Sequence, residues 1–552
     1  MKKFIGIFLA VIVFGVQLML IPGAGLTWDE PSSFFFGRSN INYWLTGNRA
    51  YLTDFKSKTL FTDEPFFYLF GEDVYPTFPF VVASGFSWIF AEHLHLLPVI
   101  DAHHMGEVFL ASIGVAAFYG VAVEVGLTIP IAAATTLLLA FYPTIIGEMR
   151  ADPKDIPLMS MLIMFMYCLL RLLKSLTRRS FSAHVRWALA TGVTLGLSVA
   201  SKPTAPLILV PIVVWFIISI SAHTSFRKAI GPPGRLIPLV LLVGFVGLSV
   251  FFFIWPWLWD NPVGNLTKVW QFFHTVGFGN VVTYMGGIYN AGFTLPWTYP
   301  YAALGTKTPI ELLLLAILGM GAVWASFRRG NAYATLAFFW FWLLIMRFLL
   351  PGMVIYDKVR HFIDAMPGFF LLVGFGLQWF SSLRPKKIWG VLTVGILLFA
   401  FGHELFIMAR FYPYEPTYYN ALIGGIKTVS AHKLFDTEQL ASSVKEGIEY
   451  VNRQPGNPSV YVCQVTHLAY FYAAPHVTVV RYPEPDSYVL IPNDYAYFAK
   501  AIAHYSNTSR RVHTVTRDGG DLLYIYHSTG ADTYYCGPES DTVLPAKYDT
   551  NP

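Results

Sequence analysis

The chain has 552 residues, of which 55% are hydrophobic and only 13% are charged, and its formal net charge is +5. Soluble globular proteins carry about 25% charged residues, so this composition excludes a soluble enzyme and indicates a polytopic membrane protein. No basic run is long enough to suggest a nucleic-acid partner, and the placement of the charges matters more than their sum.

Residues 4–21 form an apolar run behind Lys2 and Lys3. A signal peptide begins in the same way, but this run approaches the roughly 20 residues of a full span. LTWDEP, which follows, is a poor cleavage site. The run reads as a retained first helix with its N-terminus in the cytoplasm. The loop 22–101 opens with LTWDEPSSFFFG at 26–37, where Asp29 and Glu30 stand side by side among aromatic residues. Ionisable groups at a membrane edge mark a candidate site; the plainer reading makes Asp29 the cap of a short helix. Within the loop, 78–90 is apolar but short, bracketed by Pro76, Pro79 and Glu92. It reads as interfacial or re-entrant rather than spanning.

Later apolar segments fall at 104–125, 129–149, 156–173, 187–200, 204–220, 237–254, 309–327, 332–350, 362–380 and 388–407. With the first, they make about eleven spans. Alternate loops then hold Lys2 and Lys3; Arg171, Lys174, Arg178, Arg179 and Arg186; Arg227, Lys228 and Arg235; Arg328 and Arg329; Arg384, Lys386 and Lys387. This is the positive-inside pattern, and counting 78–90 as a span would destroy it. The opposite helix ends mix acids, bases and imidazoles, from Asp29 and Glu30 through Glu148, Arg150 and Asp357 to His403 and Glu404. Such a mixture suggests a site at the outer membrane boundary.

Beyond residue 410 the composition turns polar. Strand-like runs appear at 459–463, 477–482, 488–491 and 522–526, with helical spacing over 438–452. Asp518-Gly519-Gly520 inside 510–527 predicts a β-hairpin. The fold class is therefore mainly α, a polytopic helical membrane domain over 1–410 with a small outer α/β domain over 411–552. Of three cysteines, Cys168 lies in a span, while Cys463 and Cys536 lie in the polar region and can pair if it faces an oxidising compartment.

A series of motifs runs along the chain: TWDEP at 27–31, DAHH at 101–104, ADPKDIP at 151–157, SKPTA at 201–205, WPWLWDNP at 255–262, KTP at 307–309, DKVRHF at 357–362 and PYEPTYYNALIGG at 413–425. In this order, over roughly residues 4–428, the chain resembles the phospholipid-carrier-dependent glycosyltransferases of the GT-C superfamily, near the dolichyl-phosphate-mannose–protein mannosyltransferase group. The resemblance implies a polyprenyl-phosphate sugar as donor and transfer at the outer membrane face, inverting the anomeric carbon. The acceptor, a protein or an envelope glycan or glycolipid, is left open. The alternative is a transporter or flippase of lipid-linked sugars, which tends to show paired repeats and mid-membrane polar residues; a non-catalytic scaffold leaves the outer charges unexplained.

Transfer requires a base for the acceptor hydroxyl and fixed cations for the departing phosphate. The resemblance makes Asp29 the general base, with Glu30 orienting the acceptor. Asp152 or Asp155 positions the acceptor or a cation; Asp152 also suits a helix cap. Lys154, Lys202, Arg360 and His361 are candidate phosphate ligands, Arg360 because its planar fork matches phosphate oxygens; snorkelling and interfacial anchoring are the plain alternatives for Lys202 and Arg360. His103, His104 and Glu107 are candidates for site lining, with His104 and Glu107 placed to share a helix face. No HExxH or comparable metal set appears, so no cofactor is assigned, and a divalent cation is left open. The aromatics of WPWLWD are a sugar rim or a lipid belt. Asn265-Leu266-Thr267 and Asn507-Thr508-Ser509 fit the glycosylation pattern, which is common by chance.

Overall fold

The computed structural model describes residues 2–53, 74–177, 180–350, 352–528 and 534–536. Arg178 and Arg179, and the side chains of Lys2 and Lys3, which enter the charge pattern above, lie outside the described residues.

Among the described residues, eight helices are long and apolar enough to cross a membrane: Phe4–Gly23, Val99–Glu124, Asp155–Ser175, Ala205–Ala222, Pro233–Ile254, Ile310–Arg328, Lys358–Ser382 and Lys386–Phe411. The remaining expected segments are also helical. Ile129–Phe141 and Leu336–Leu349 are shorter, and Phe181–Val199 carries Thr191, Thr194 and Ser198, whose hydroxyls bond back to the preceding turn. The chain is a multi-pass membrane protein. Its most buried helices are Lys358–Ser382, Asp155–Ser175 and Val99–Glu124, while Pro233–Ile254 has Gly247 as its one buried residue and exposes Phe245, Leu248 and Phe253. A helix apolar all round and exposed has lipid as its natural neighbour.

The 78–90 segment is a ten-residue helix, Phe78–Ser87, continuing as a π-turn over Trp88–His93. It lies tight against Val99–Glu124 at Gly106, where an added Cβ would stand 2.6 Å from the Ala83 Cα. Between Pro233–Ile254 and Ile310–Arg328, the chain forms a tight turn over Pro256–Trp259 and a helix, Pro262–Thr275. The hairpin β1 (Val281–Tyr284) and β2 (Gly287–Asn290) follows. The sequence gives no periodic signal for this hairpin.

The polar end of the chain contains a five-stranded sheet in the order β4 (Thr478–Val479), β3 (Ser459–Val462), β5 (Tyr488–Pro492), β7 (Gly520–His527), β6 (Arg510–Arg517). β3 runs parallel to β4 and β5, and β7 antiparallel to β5 and β6. The expected hairpin is β6–β7, and Asp518 and Gly519 both take positive φ at its turn, as the twist of a two-residue hairpin requires. The helices Val444–Asn452 and Tyr495–Thr508 accompany the sheet. Cys463 and Cys536 form a disulfide with Cα atoms 5.1 Å apart, and Cys168 is buried and free.

Candidate active site

After its first helix, the chain runs through residues 24–28 and turns into the helix Glu30–Thr46, with Pro31 in the first turn, where its fixed φ suits a helix start. The polar end of the chain grips this turn. The Leu26 N–H donates to the Tyr472 hydroxyl at 2.7 Å, and the Trp28 N–H to the Leu440 carbonyl at 2.9 Å. Lys445 Nζ donates to the carbonyls of Pro22 at 2.7 Å and Ala24 at 3.1 Å. Gly25 is required here, since a Cβ would sit 2.5 Å from the Ser442 carbonyl oxygen. On the other side, the Thr27 hydroxyl donates to the Ala151 carbonyl at 3.0 Å, joining the acid pair to the ADPKDIP segment.

Asp29 occupies the N-cap position, yet its side chain makes no capping bond. Its carboxylate turns outward: Oδ2 accepts from Lys154 Nζ at 3.0 Å and from Arg360 Nη1 at 3.1 Å, and its side chain keeps 28% of its surface open. The plain capping reading of Asp29 is therefore set aside. Burial alone would raise its pKa, but the Lys154 ammonium and the Arg360 guanidinium prevail and hold the carboxyl well below the usual carboxylate range. Asp29 in turn outweighs the burial of the Lys154 ammonium and raises it. The Lys154 ammonium also lies over the Tyr75 ring, 4.7 Å from its centroid.

Glu30 turns the opposite way and is fully buried. Its Oε2 accepts the Thr27 N–H at 2.6 Å. Its Oε1 meets His104 Nε2 at 2.6 Å. Both oxygens are engaged inside the protein, where they fix the turn that aims Asp29. His104 and Glu107 take different partners. Glu30 captures His104, and it is His103, one helical turn before Glu107, that approaches it, at 3.7 Å. His103 Nε2 also bonds the Ser33 hydroxyl at 2.8 Å, and its ring stacks on Phe34 with centroids 3.7 Å apart. These histidines lock the Glu30–Thr46 helix to Val99–Glu124 rather than line an open cleft.

The ADPKDIP segment supplies two acids with different work. Asp152 Oδ1 accepts the backbone N–H groups of Lys154 at 3.0 Å and Asp155 at 2.9 Å, capping the helix Asp155–Ser175. Its Oδ2 is buried without a hydrogen-bond partner among the described residues. Burial, with Asp155 beside it, pushes its pKa up to about 7. Asp155 Oδ1 pairs with Lys202, and its Oδ2 lies 3.8 Å from Arg360 Nη1. Arg360 also bonds Asp357 through Nη2. Asp29, Asp155, Asp357, Lys154, Lys202 and Arg360 thus form one alternating network at helix ends. His361 packs edge-on against Tyr356, ring centroids 4.1 Å apart, and its carbonyl accepts from Arg347 at 2.7 Å. Arg347 also grips Asp364 at 2.6 and 3.1 Å.

Several further buried groups surround this network. Arg150 pairs with Glu415 of the PYEPTYYN motif and bonds Gln17 at 3.1 Å. Lys307 reaches the Pro416 carbonyl and lies 4.0 Å from the Tyr419 ring centroid. Glu107 and Glu148 are buried, with carboxylates unbonded among the described residues, and both lie within electrostatic reach of Asp152. The signal for Glu415 was its place in a motif; nothing local marked its partner. Among the described residues, no three His, Cys, Asp or Glu side chains are placed to hold a metal ion. Asp29 and Asp155 already face ammonium and guanidinium groups. These two carboxylates, already paired with cations, do not fit a divalent cation.

The fold and site describe a multi-pass helical protein with a network of acids and cations at the ends of its membrane helices. No protein-family model matches the chain, and no curated protein does. Solved structures similar to it are GT-C glycosyltransferases. ArnT from Cupriavidus metallidurans bound to undecaprenyl phosphate is 13% identical, with 94% of this chain and 97% of that chain covered and a TM-score of 0.49. The Archaeoglobus fulgidus oligosaccharyltransferase tethered with an acceptor peptide is 12% identical, covering 96% and 74%, TM-score 0.47. The S. cerevisiae Pmt1-Pmt2 protein O-mannosyltransferase complex bound to the sugar donor is 15% identical, covering 48% and 34%, TM-score 0.34.

Proposed function

We propose that this protein is a membrane glycosyltransferase that moves a sugar from a polyprenyl-phosphate donor to an acceptor hydroxyl at the outer membrane face. The observation that carries the proposal is the Asp29 carboxylate, partly open, sharing one oxygen between Lys154 and Arg360 at 3.0 and 3.1 Å. A base for a hydroxyl and fixed cations for a phosphate are the two requirements of the transfer, and here they are in direct contact.

In the donor-free arrangement, the two cations make Asp29 a weak base. A donor phosphate brings negative charge to Lys154, Arg360 and Lys202 and competes with the carboxylates for them. Asp29 is then released from part of its cationic field, and its basicity rises when substrate is present. The acceptor oxygen attacks the anomeric carbon as Asp29 takes its proton. The bond from that carbon to the phosphate oxygen breaks, and the charge developing on the departing polyprenyl phosphate falls to the cations. A single displacement inverts the anomeric centre. Glu30, held by Thr27 N–H and His104, keeps the Asp29 turn in place, and Asp152 holds the start of the helix that carries Asp155.

The same reading places Met1 in the cytoplasm and the sheet-bearing region outside, with domains at 1–410 and 411–552. The cationic alternate loops support this orientation, as does the Cys463–Cys536 bond, which suits an oxidising compartment. A protein, glycan or glycolipid acceptor fits equally. The test is to incubate purified protein with a panel of polyprenyl-phosphate sugars and candidate acceptors. Consumption of one donor with release of polyprenyl phosphate and a product of inverted anomeric configuration supports the proposal. Passage of intact donor across a vesicle membrane without cleavage would establish transport instead.

A further inference from the structure

The helix Pro262–Thr275 lies outside the membrane-spanning set, between the lipid-facing helix Pro233–Ile254 and the β1–β2 hairpin. At about 100° per residue, its residues divide into three arcs. Asn265, Val269, Phe272 and Phe273 face the protein. Asn265 and Val269 are buried, and the Asn265 side chain donates to the Trp257 carbonyl at 2.7 Å. Phe272 and Phe273 meet Tyr75 edge-on, ring centroids 5.4 and 5.3 Å away. A second arc, Val263, Leu266 and Trp270, is apolar yet 78%, 44% and 66% exposed. The third, Thr267, Lys268, Gln271 and Thr275, is polar and exposed.

Two faces explain an ordinary surface helix; the exposed apolar arc of this one calls for a further partner. What adjoins the arc identifies that partner. The outward face of Pro233–Ile254 exposes Phe245, Leu248, Phe252 and Phe253. It ends at an aromatic group in which Trp44 lies 5.3 Å from Phe253 and 5.5 Å from Trp259 between ring centroids. Residues 260–261 join this aromatic group to the helix, so the apolar arc begins beside the end of the lipid-facing surface. Tryptophans concentrate where hydrocarbon meets headgroups, and a helix with an apolar face, a polar face and Trp between them lies in that layer.

We propose that Pro262–Thr275 is an in-plane membrane helix. Val263, Leu266 and Trp270 are immersed in the bilayer at the headgroup–acyl boundary, with Lys268, Gln271 and Thr275 in water. The partner is the lipid surface itself. The inner arc holds Tyr75, whose ring covers the Lys154 ammonium, so the helix also sets the candidate site at a fixed depth relative to the headgroups. The proposal stands on this geometry and not on the proposed reaction. It also removes Asn265 as a glycosylation acceptor, because its amide is buried and bonded.

The test is site-directed spin labelling of full-length protein in phosphatidylcholine vesicles containing anionic lipid. The variants are Leu266→Cys, Trp270→Cys, Gln271→Cys and Thr275→Cys, in a Cys168→Ser background that keeps the disulfide. The labels at 266 and 270 should collide severalfold more with dissolved oxygen than with a water-soluble nickel chelate, and those at 271 and 275 should show the reverse. Leu266 and Gln271 are both exposed, so variants at these positions keep the test informative should the Trp270 variant fail to insert. Chelate access at all four positions would overturn the proposal in favour of a solvated helix. Shielding of 266 and 270 from both quenchers would overturn it in favour of a protein partner or a second copy of the chain.

Discussion

Replacing Asp29 with asparagine separates the two halves of the proposed chemistry. Asparagine keeps the shape of the side chain but cannot take a proton, so transfer should slow by roughly 10²–10⁴-fold, the usual worth of a positioned base. Folding should persist, because Asp29 makes no capping bond and asparagine tolerates the position. The structure adds an effect in the other direction. In the wild type, Asp29 Oδ2 competes with any incoming phosphate for Lys154 and Arg360. Charge-assisted hydrogen bonds are worth roughly 1.5–3 kcal/mol each, and Arg360 retains Asp357 and Asp155 in the variant. The asparagine amide oxygen still accepts from Lys154 but without charge assistance, and donor affinity should rise by roughly tenfold, about 1.4 kcal/mol. The assay is donor binding to purified Asp29→Asn by calorimetry, with single-turnover transfer measured on the same preparation. Tighter binding with slower transfer is the expected pair. Near-normal transfer removes Asp29 as the base, and weaker donor binding refutes the competition between carboxylate and phosphate.

Four further outcomes follow from the same contacts. If donor binding releases Asp29, the acid limb of kcat should lie at higher pH than that of kcat/KM, since the first reports the complex and the second the free enzyme; identical or inverted limbs contradict the release. Arg360→Lys should recover only part of the transfer lost in Arg360→Ala, because the lysine replaces a fork that spans Asp29 and Asp357; equal activity of the lysine variant and the wild type counts against a forked phosphate contact. Asp152 is pushed up to about 7, so the folded protein binds more protons than the unfolded chain from about pH 4 to 7, and stability declines across that window. Asp152→Asn keeps the Oδ1 cap and should lose that decline, a difference visible in thermal melts at pH 4.5 and 7.5. Glu415→Ala strands the buried Arg150 and should destabilise the protein by roughly 3–5 kcal/mol, read as a lowered melting midpoint in detergent; an unchanged midpoint would show that Arg150 finds another partner.

The helical layout was legible because a span writes itself locally: a run of apolar residues, with lysines and arginines sorted to one side. The network around Asp29 was legible for a related reason. Asp29, Asp152, Lys154, Asp155, Lys202 and Arg360 all fall at helix ends assigned to one face, and side chains confined to one thin layer tend to meet. Their pairing was not legible. Asp29 and Arg360 are 331 positions apart, and only packing decides that Lys202 takes Asp155 while Lys154 takes Asp29. The pairing of Glu30 with His104 was not legible for the same reason. Adjacent acids look equivalent in sequence, yet the start of the Glu30–Thr46 helix points one carboxylate inward to His104 and the other outward. The in-plane helix was hidden because its apolar residues divide between protein and lipid, which blurs the single stripe expected of an amphipathic helix.

The central claim is that the acid and cations meeting at Asp29 cleave a lipid-linked sugar. It is tested most directly by a single-turnover experiment on purified wild-type protein and Asp29→Asn, with a radiolabelled polyprenyl-phosphate sugar and acceptor in excess. The account predicts that the wild type transfers the label and releases polyprenyl phosphate, while Asp29→Asn binds the donor at least as tightly and leaves it intact. Equal release by both proteins, or intact donor after incubation of the wild type with every donor–acceptor pair in the panel, would contradict it.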